Sequence, residues 1–279
     1  MPSYNIKSSY DNAWSPSFFG CSDFGDELKN CIRQFQKDHG LTQDGLCGPQ
    51  TAYFVRERIE GNFIFCGSAA VPINWDQVTA WPEQFKASNF RPNYYGRQPR
   101  VLITHWDAAL SSASAWRILE RRRLSAHFLI SNTGQIHQCH NTSHVLFHAG
   151  RSNGYSVGIE ISNAYYLRYQ ERYRDMGLGD RPVMTGATVH GRKMRDHTGF
   201  YSVQLEAYKA LIEALCGHYD IPMQTPTDDQ GNDYNTVYAP AFSDYKGIIH
   251  HYQVDAGKID CGSLSLSKLI ANMRGYNGR

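Results

Sequence analysis

The run Ser156-Val157-Gly158-Ile159-Glu160-Ile161 is apolar and of strand length, yet it carries a carboxylate. Such a run reads as a buried strand. Three more lie around it. Val101-Leu102-Ile103-Thr104 ends at His105, and Gly247-Ile248-Ile249 ends at His250-His251. Ala126-His127-Phe128-Leu129-Ile130 is followed by a turn at Asn132-Thr133-Gly134, after which Gln135 to Cys139 pairs back as a hairpin. Helical spacing holds over Ala113 to Arg123 and over Ser263 to Met273. It is clearest over Val203 to Tyr219, where Leu205, Tyr208, Leu211, Ile212 and Leu215 share one face. Strands and helices are interspersed, so the expected class is α/β or α+β, with a mixed central β-sheet flanked by helices.

Upstream the pattern is purely helical. Leu28, Cys31, Ile32 and Phe35 recur at helical spacing and stop at Gly40, a C-cap residue. Asp44-Gly45 and Gly48-Pro49 are turn dipeptides, and Pro49 suits the first turn of a second helix with Ala52, Val55 and Ile59 on one face. Between this unit and the sheet, Pro72, Pro82, Pro92 and Pro99 interrupt any periodicity. That stretch reads as a linker packing partly through Trp75, Trp81 and Phe85. The expected organisation is a small all-helical domain over 1–66, a linker over 67–98 and the main domain over 99–279.

The chain's 279 residues can bury a real core without disulfides. A net charge of +2 gives no basic excess for nucleic acid, and Arg121-Arg122-Arg123 reads as a solvated helix end. No apolar run approaches a membrane span, and the N-terminus lacks a secretory apolar core. Synthesis in the cytoplasm is the expectation. Seven cysteines at irregular spacing, with no CxxC, read as reduced thiols.

Chemistry concentrates at the strand ends. A charge in an apolar strand is costly unless paired or bound to a metal. His105, Glu160 and His250-His251 stand on separate strands, and Asp260 follows the last. Two histidines and a carboxylate suit a catalytic zinc with three protein ligands and one open position.

Two resemblances follow from these residues. Phe35-Gln36, Gly40-Leu41, Asp44-Gly45, Gly48 and Thr51 resemble the short three-helix peptidoglycan-binding domains, although the region before Leu28 does not match. Thr104-His105, Ser125 to Ile130, Phe147-His148-Ala149-Gly150, Ser156 to Ile161 and His251-Tyr252-Gln253-Val254 with Lys258-Ile259-Asp260 occur in one order. Together they resemble the zinc-dependent N-acetylmuramoyl-L-alanine amidases. That family includes a phage lysozyme, the bacterial peptidoglycan-recycling amidases and the animal peptidoglycan recognition proteins.

The resemblance implies one zinc per chain, held by His105, by His251 with His250 as the alternative, and by Asp260 with Cys261 as a rival. It implies Glu160 as general base and Lys258 as oxyanion stabiliser. His148 is expected at the rim as a substrate contact or behind the ligands, and His127 as structural. Some relatives place a tyrosine where this chain has Ala126, which puts more weight on Glu160. The implied reaction is hydrolysis of the amide between N-acetylmuramic acid and L-alanine, with bacterial peptidoglycan as partner and a monomeric enzyme. A wall-binding unit ahead of the amidase resembles a phage endolysin, made in the host cytoplasm and acting on the wall. The competing readings are a non-catalytic recognition module, a cytosolic muropeptide-recycling amidase and a cysteine hydrolase using Cys261. The stretches Tyr165 to Tyr201 and Met223 to Tyr245 exceed what the motifs require. They are either walls of a peptide groove or surface insertions.

Overall fold

A computed structural model describes residues 3–59, 61–81 and 84–276. Pro82, counted above in the linker, lies outside them. The chain opens with helices α1 (Tyr4–Asn12), α2 (Asp26–Asp38) and α3 (Pro49–Arg56). They close on a small core of Trp14, Leu28, Ile32, Cys47, Ala52 and Val55. Helix α1 is the element that the sequence pattern did not supply. Its Asn5 explains why it is there: the side-chain amide donates to the Gly45 carbonyl (3.0 Å) and accepts the Cys47 N–H (2.9 Å). The expected second helix stops at Arg56, short of Ile59.

The main sheet has six strands: β1 (Val78–Ala80), β2 (Val101–Trp106), β3 (Phe128–Ile130), β4 (Ile136–Gln138), β5 (Ser156–Ile161) and β6 (Gly247–His250). Their order is β6-β2-β5-β3-β4-β1. The first four run parallel; β4 is antiparallel to β3 and parallel to β1. The mixed central sheet is therefore as expected. Helices α6 (Ser202–Tyr219) and α7 (Leu266–Tyr276) cover one face, where Leu102, Val157, Ile159 and Ile248 meet Leu211, Ile212 and Leu269. Helix α4 (Ser112–Arg121) lies on the other face, where Leu129 packs with Phe85 and, partly buried, Trp116 and Leu119; the short helix α5 (Gln170–Asp175) follows β5.

Alternation along these strands divides the molecule. On β2, Leu102 and Trp106 belong to the core under α6, while Val101 and Ile103 face the other way. His105 shares their side. Glu160 is paired with His105 in the parallel register of β2 and β5, so the two side chains stand next to each other on one face.

The stretch 67–98 differs from the expected linker. It contributes β1, an edge strand of the main sheet. Just before it, Phe63–Cys66 and Ala69–Pro72 form an antiparallel hairpin that spans position 66, with Ile64, Cys66 and Ile73 in the main core. Side-chain amides hold this segment. Gln138 accepts from Phe65 N–H and donates to Phe65 O, both at 2.8 Å, and Asn141 does the same for Gly67 at 2.8 Å. Strand propensity is weak over such short strands, so these long-range amide pairs fix the hairpin on the main sheet. All seven cysteines are free thiols. No helix among the described residues is long and apolar enough to cross a membrane.

Candidate active site

Three donor atoms converge at the C-terminal ends of the parallel strands. His105 Nδ1 lies 3.0 Å from His251 Nδ1 and 3.2 Å from Asp260 Oδ2, and His251 Nδ1 lies 3.0 Å from the same carboxylate oxygen. Among the described residues this is the one group of three such donors lying within 4.8 Å of one another. All three residues are buried.

The orientation of His105 is set from behind. Its Nε2 is 3.1 Å from His148 Nδ1, and His148 Nε2 is 3.2 Å from Ser156 Oγ, which donates to the Ser152 carbonyl at 2.7 Å. The network assigns the protons: His105 Nε2–H donates to His148, and His148 Nε2–H donates to Ser156. The lone pair of His105 Nδ1 is then left facing His251 and Asp260. A ligating histidine is typically fixed through its other nitrogen in this way. His148 is thus buried behind His105, not exposed at the rim as a substrate contact. Gly158 makes room for it, because a Cβ there would lie 2.6 Å from the His148 ring. The sequence reading assigned no role to Gly158 or Ser156.

The electrostatics agree with a cation-binding donor set. Burial, and next the neighbouring His251, push the His105 imidazole down to about 4, so it is neutral near pH 7. Burial pushes the Asp260 carboxyl up, but the His105 and His251 rings that face it outweigh that and hold it below the usual carboxylate range. One anionic oxygen therefore faces the Nδ1 atoms of two histidines, which is the donor set of a two-nitrogen, one-oxygen zinc site.

His250, one residue from His251, points elsewhere. It follows Ile248 in the strand alternation and faces the α7 side, where its Nε2 lies 3.0 Å from Asp233 Oδ2. Asp233 also accepts the Leu266 (2.6 Å) and Ser267 (2.8 Å) N–H groups at the start of α7. That cap explains why α7 starts later than the periodicity indicated. Cys261 is fully buried in the main core. Burial, then Asp260 and Glu160, push its thiol well up, so the cysteine-hydrolase reading lacks a thiolate.

Glu160 completes the site. It is 6% exposed, and its Oε2 is buried with no hydrogen-bond partner. Burial, then the Asp107 and Asp260 carboxylates, push its carboxyl well above the usual range, and Lys258 pulls it back. A buried carboxylate with a free oxygen next to a donor cluster has the properties of a general base. Lys258 is half-buried on the loop between His251 and Asp260. His127 is sealed behind the sheet, accepting Gly158 N–H at Nδ1 (3.0 Å). Ala126 is fully buried and offers no polar group.

The two long insertions are ordered. Arg181, 2% exposed, anchors the first by donating to the carbonyls of Gly199 (3.0 Å) and Ser162 (2.9 Å) and to Gln204 Oε1 (3.0 Å), between the rings of Tyr173 and Tyr201. Nothing in the local pattern distinguished this arginine from a surface one.

Among curated proteins none matches the sequence. Several solved structures are similar at low identity. The endolysin amidase LysCS from Clostridium intestinale is 14% identical, covering 71% of this chain and 95% of that one, with a TM-score of 0.43. AmpDh3 from Pseudomonas aeruginosa, in complex with anhydromuramic pentapeptide, is 19% identical over 63% and 60% of the two chains, with a TM-score of 0.41. A mutant endolysin from Bacillus subtilis is 18% identical over 71% and 96%, with a TM-score of 0.39. Residues 16–54 match the model of a peptidoglycan binding domain. Residues 95–263, more than half of the chain and the stretch carrying all three converging donors, match the N-acetylmuramoyl-L-alanine amidase model, and the protein belongs to that family.

Proposed function

We propose that this amidase works on polymeric cell wall in the manner of an endolysin, with one zinc held by His105 Nδ1, His251 Nδ1 and Asp260 Oδ2. The observation that carries the reading is the convergence of those three atoms beside the partnerless Oε2 of Glu160. Zinc bound there would polarise the attacked carbonyl and make water more acidic. Glu160 takes the proton of the attacking water and delivers one to the leaving alanine nitrogen. The Lys258 ammonium faces the lactyl oxygen as it gains charge. His148 holds His105 in the tautomer that leaves Nδ1 free.

The helical unit, ending near residue 59, serves as the wall-binding domain, and the amidase unit starts with the hairpin at Phe63. This division supports an endolysin over a recycling enzyme for soluble muropeptides. The full donor set argues against a recognition module without activity. We infer synthesis in the host cytoplasm and action at the wall.

The test is digestion of purified sacculi followed by mass spectrometry. New L-alanine N-termini should form, and a chelator should stop their formation. Glu160→Gln should keep metal and fold yet lose roughly 10² to 10⁴ in turnover. Near-normal turnover in Glu160→Gln would move the base elsewhere.

A further inference from the structure

The first insertion carries a short hairpin, Thr188–Val189 with Arg192–Lys193, closed by His190 and Gly191. Both turn residues have positive φ, +52° at His190 and +70° at Gly191, as a two-residue hairpin turn of this hand requires. A histidine is uncommon there, although it tolerates the left-handed region better than most residues. Its side chain makes two long-range hydrogen bonds. His190 Nε2 lies 3.0 Å from the Lys258 carbonyl oxygen, and His190 Nδ1 lies 3.0 Å from Thr236 Oγ1 in the second insertion. With the proton on Nε2, the ring donates to Lys258 and accepts from the Thr236 hydroxyl. The His190 backbone N–H donates to Asn235 O at 2.8 Å. The same hairpin presses on the chain just after Asp260: a Cβ at Gly262 would lie 2.6 Å from Val189 Cγ2 and 2.5 Å from Met194 Sδ.

We propose that His190 is a positioning residue for Lys258: it locks both insertions onto the backbone of the loop that presents the Lys258 ammonium. This rests on the oxyanion role given to Lys258 above. The loop between His251 and Asp260 is tied at both ends by the donor cluster, and within it the Lys258 N–H donates to the Asp255 carbonyl at 3.1 Å. His190 supplies the contact from outside this loop that fixes the direction of the Lys258 carbonyl, and with it the side chain. His190 does so without touching the substrate. The insertions, under this assignment, serve catalysis from outside the groove.

The test is a double-mutant cycle on the full chain, with hydrolysis of a soluble muramoyl-peptide, zinc content and melting temperature read on each preparation. His190→Asn keeps a residue suited to the left-handed turn but is too short to reach Lys258. It should lower kcat by about 10 to 100-fold, as misplacing a catalytic group does, with KM, zinc and melting temperature unchanged. Thr236→Val should act in the same direction with a smaller loss. In a Lys258→Ala background, His190→Asn should cost nothing further, because the two act as one unit. Full additivity of the two losses would overturn the positioning role while leaving Lys258 catalytic. Undiminished activity in Lys258→Ala would overturn the role of Lys258, and the positioning role with it.

Discussion

Gln36 in the helical unit and Glu160 in the sheet are both buried polar side chains, and the fold treats them in opposite ways. Gln36 accepts the Gly45 N–H at Oε1 (3.0 Å) and donates through Nε2 to Asp44 Oδ1 (2.8 Å), Leu46 O (3.1 Å) and Thr51 Oγ1 (3.3 Å). Every partner lies within a short stretch of chain, and the result is a rigid turn at Asp44 to Gly48. Glu160 keeps one oxygen without any partner, although burial makes that costly. A binding scaffold satisfies its buried polar groups. Under the proposed mechanism the free Glu160 oxygen is the one that receives the proton, and the surrounding sheet supplies the stability that holds it there.

The comparison predicts its largest effect within the sheet unit, at two adjacent histidines on opposite faces. His251→Ala should abolish zinc binding and reduce hydrolysis to background with the fold retained. His250→Ala should keep the metal and instead lower stability by about 2 kcal/mol, because it strips a hydrogen-bond partner from partly buried Asp233. Zinc analysis and thermal unfolding of both proteins decide this, and metal loss in His250→Ala alone would exchange the two assignments.

A second, progressive effect separates the units by pH. His140 and His144 are buried in the amidase unit; burial pushes them down to about 3 and about 4, and it holds His127 well below its ordinary value. His144 therefore stays neutral near pH 7, and its 3.9 Å approach to Asp11 is not an ion pair. The unfolded chain takes up these protons near pH 6.5, before the folded one does. The stabilising contribution is fully present above about pH 6.5 and is lost as pH falls towards 4. The helical unit buries no histidine among its described residues. Calorimetry between pH 7 and 4 should show the amidase unit losing stability first; parallel loss in both units would break the comparison.

The smallest effect belongs to Gln36. Gln36→Ala leaves the Gly45 N–H without its acceptor and should cost roughly 1–3 kcal/mol. Binding to intact sacculi should weaken while hydrolysis of soluble muramoyl-peptides stays unchanged. Equal pull-down by both proteins would remove the turn from the wall-binding surface.

Much of this was legible in the chain itself. Strands β2, β3, β5 and β6 and helices α4 and α6 stand within a few residues of where apolar periodicity put them. The choice of His251 over His250 is also written in the strand: Ile248 and His250 share one face, Ile249 and His251 the other. Reading that alternation against the core helix would have put His251, and not His250, on the side of His105. Helix α1 was not legible, because its anchor Asn5 contacts residues some forty positions away. The edge strand β1 was not legible either, since its three residues are held by pairing with Ile136–Gln138, some sixty positions away.

The sequence by itself determined the elements, their order and which residue types end each strand, because those follow from spacing within a few residues. It also carried the ordered motifs that place residues 95–263 in the amidase family. Only the tertiary structure decided how the polar groups meet. His105 and His251 are 146 positions apart, and His105 and His148 are 43 apart. The tautomer of His105, the unpaired oxygen of Glu160 and the grip of His190 on Lys258 all depend on such contacts. A hydrogen bond is specific to a few tenths of an ångström, and no local pattern reports distance at that scale between segments that the fold alone brings together.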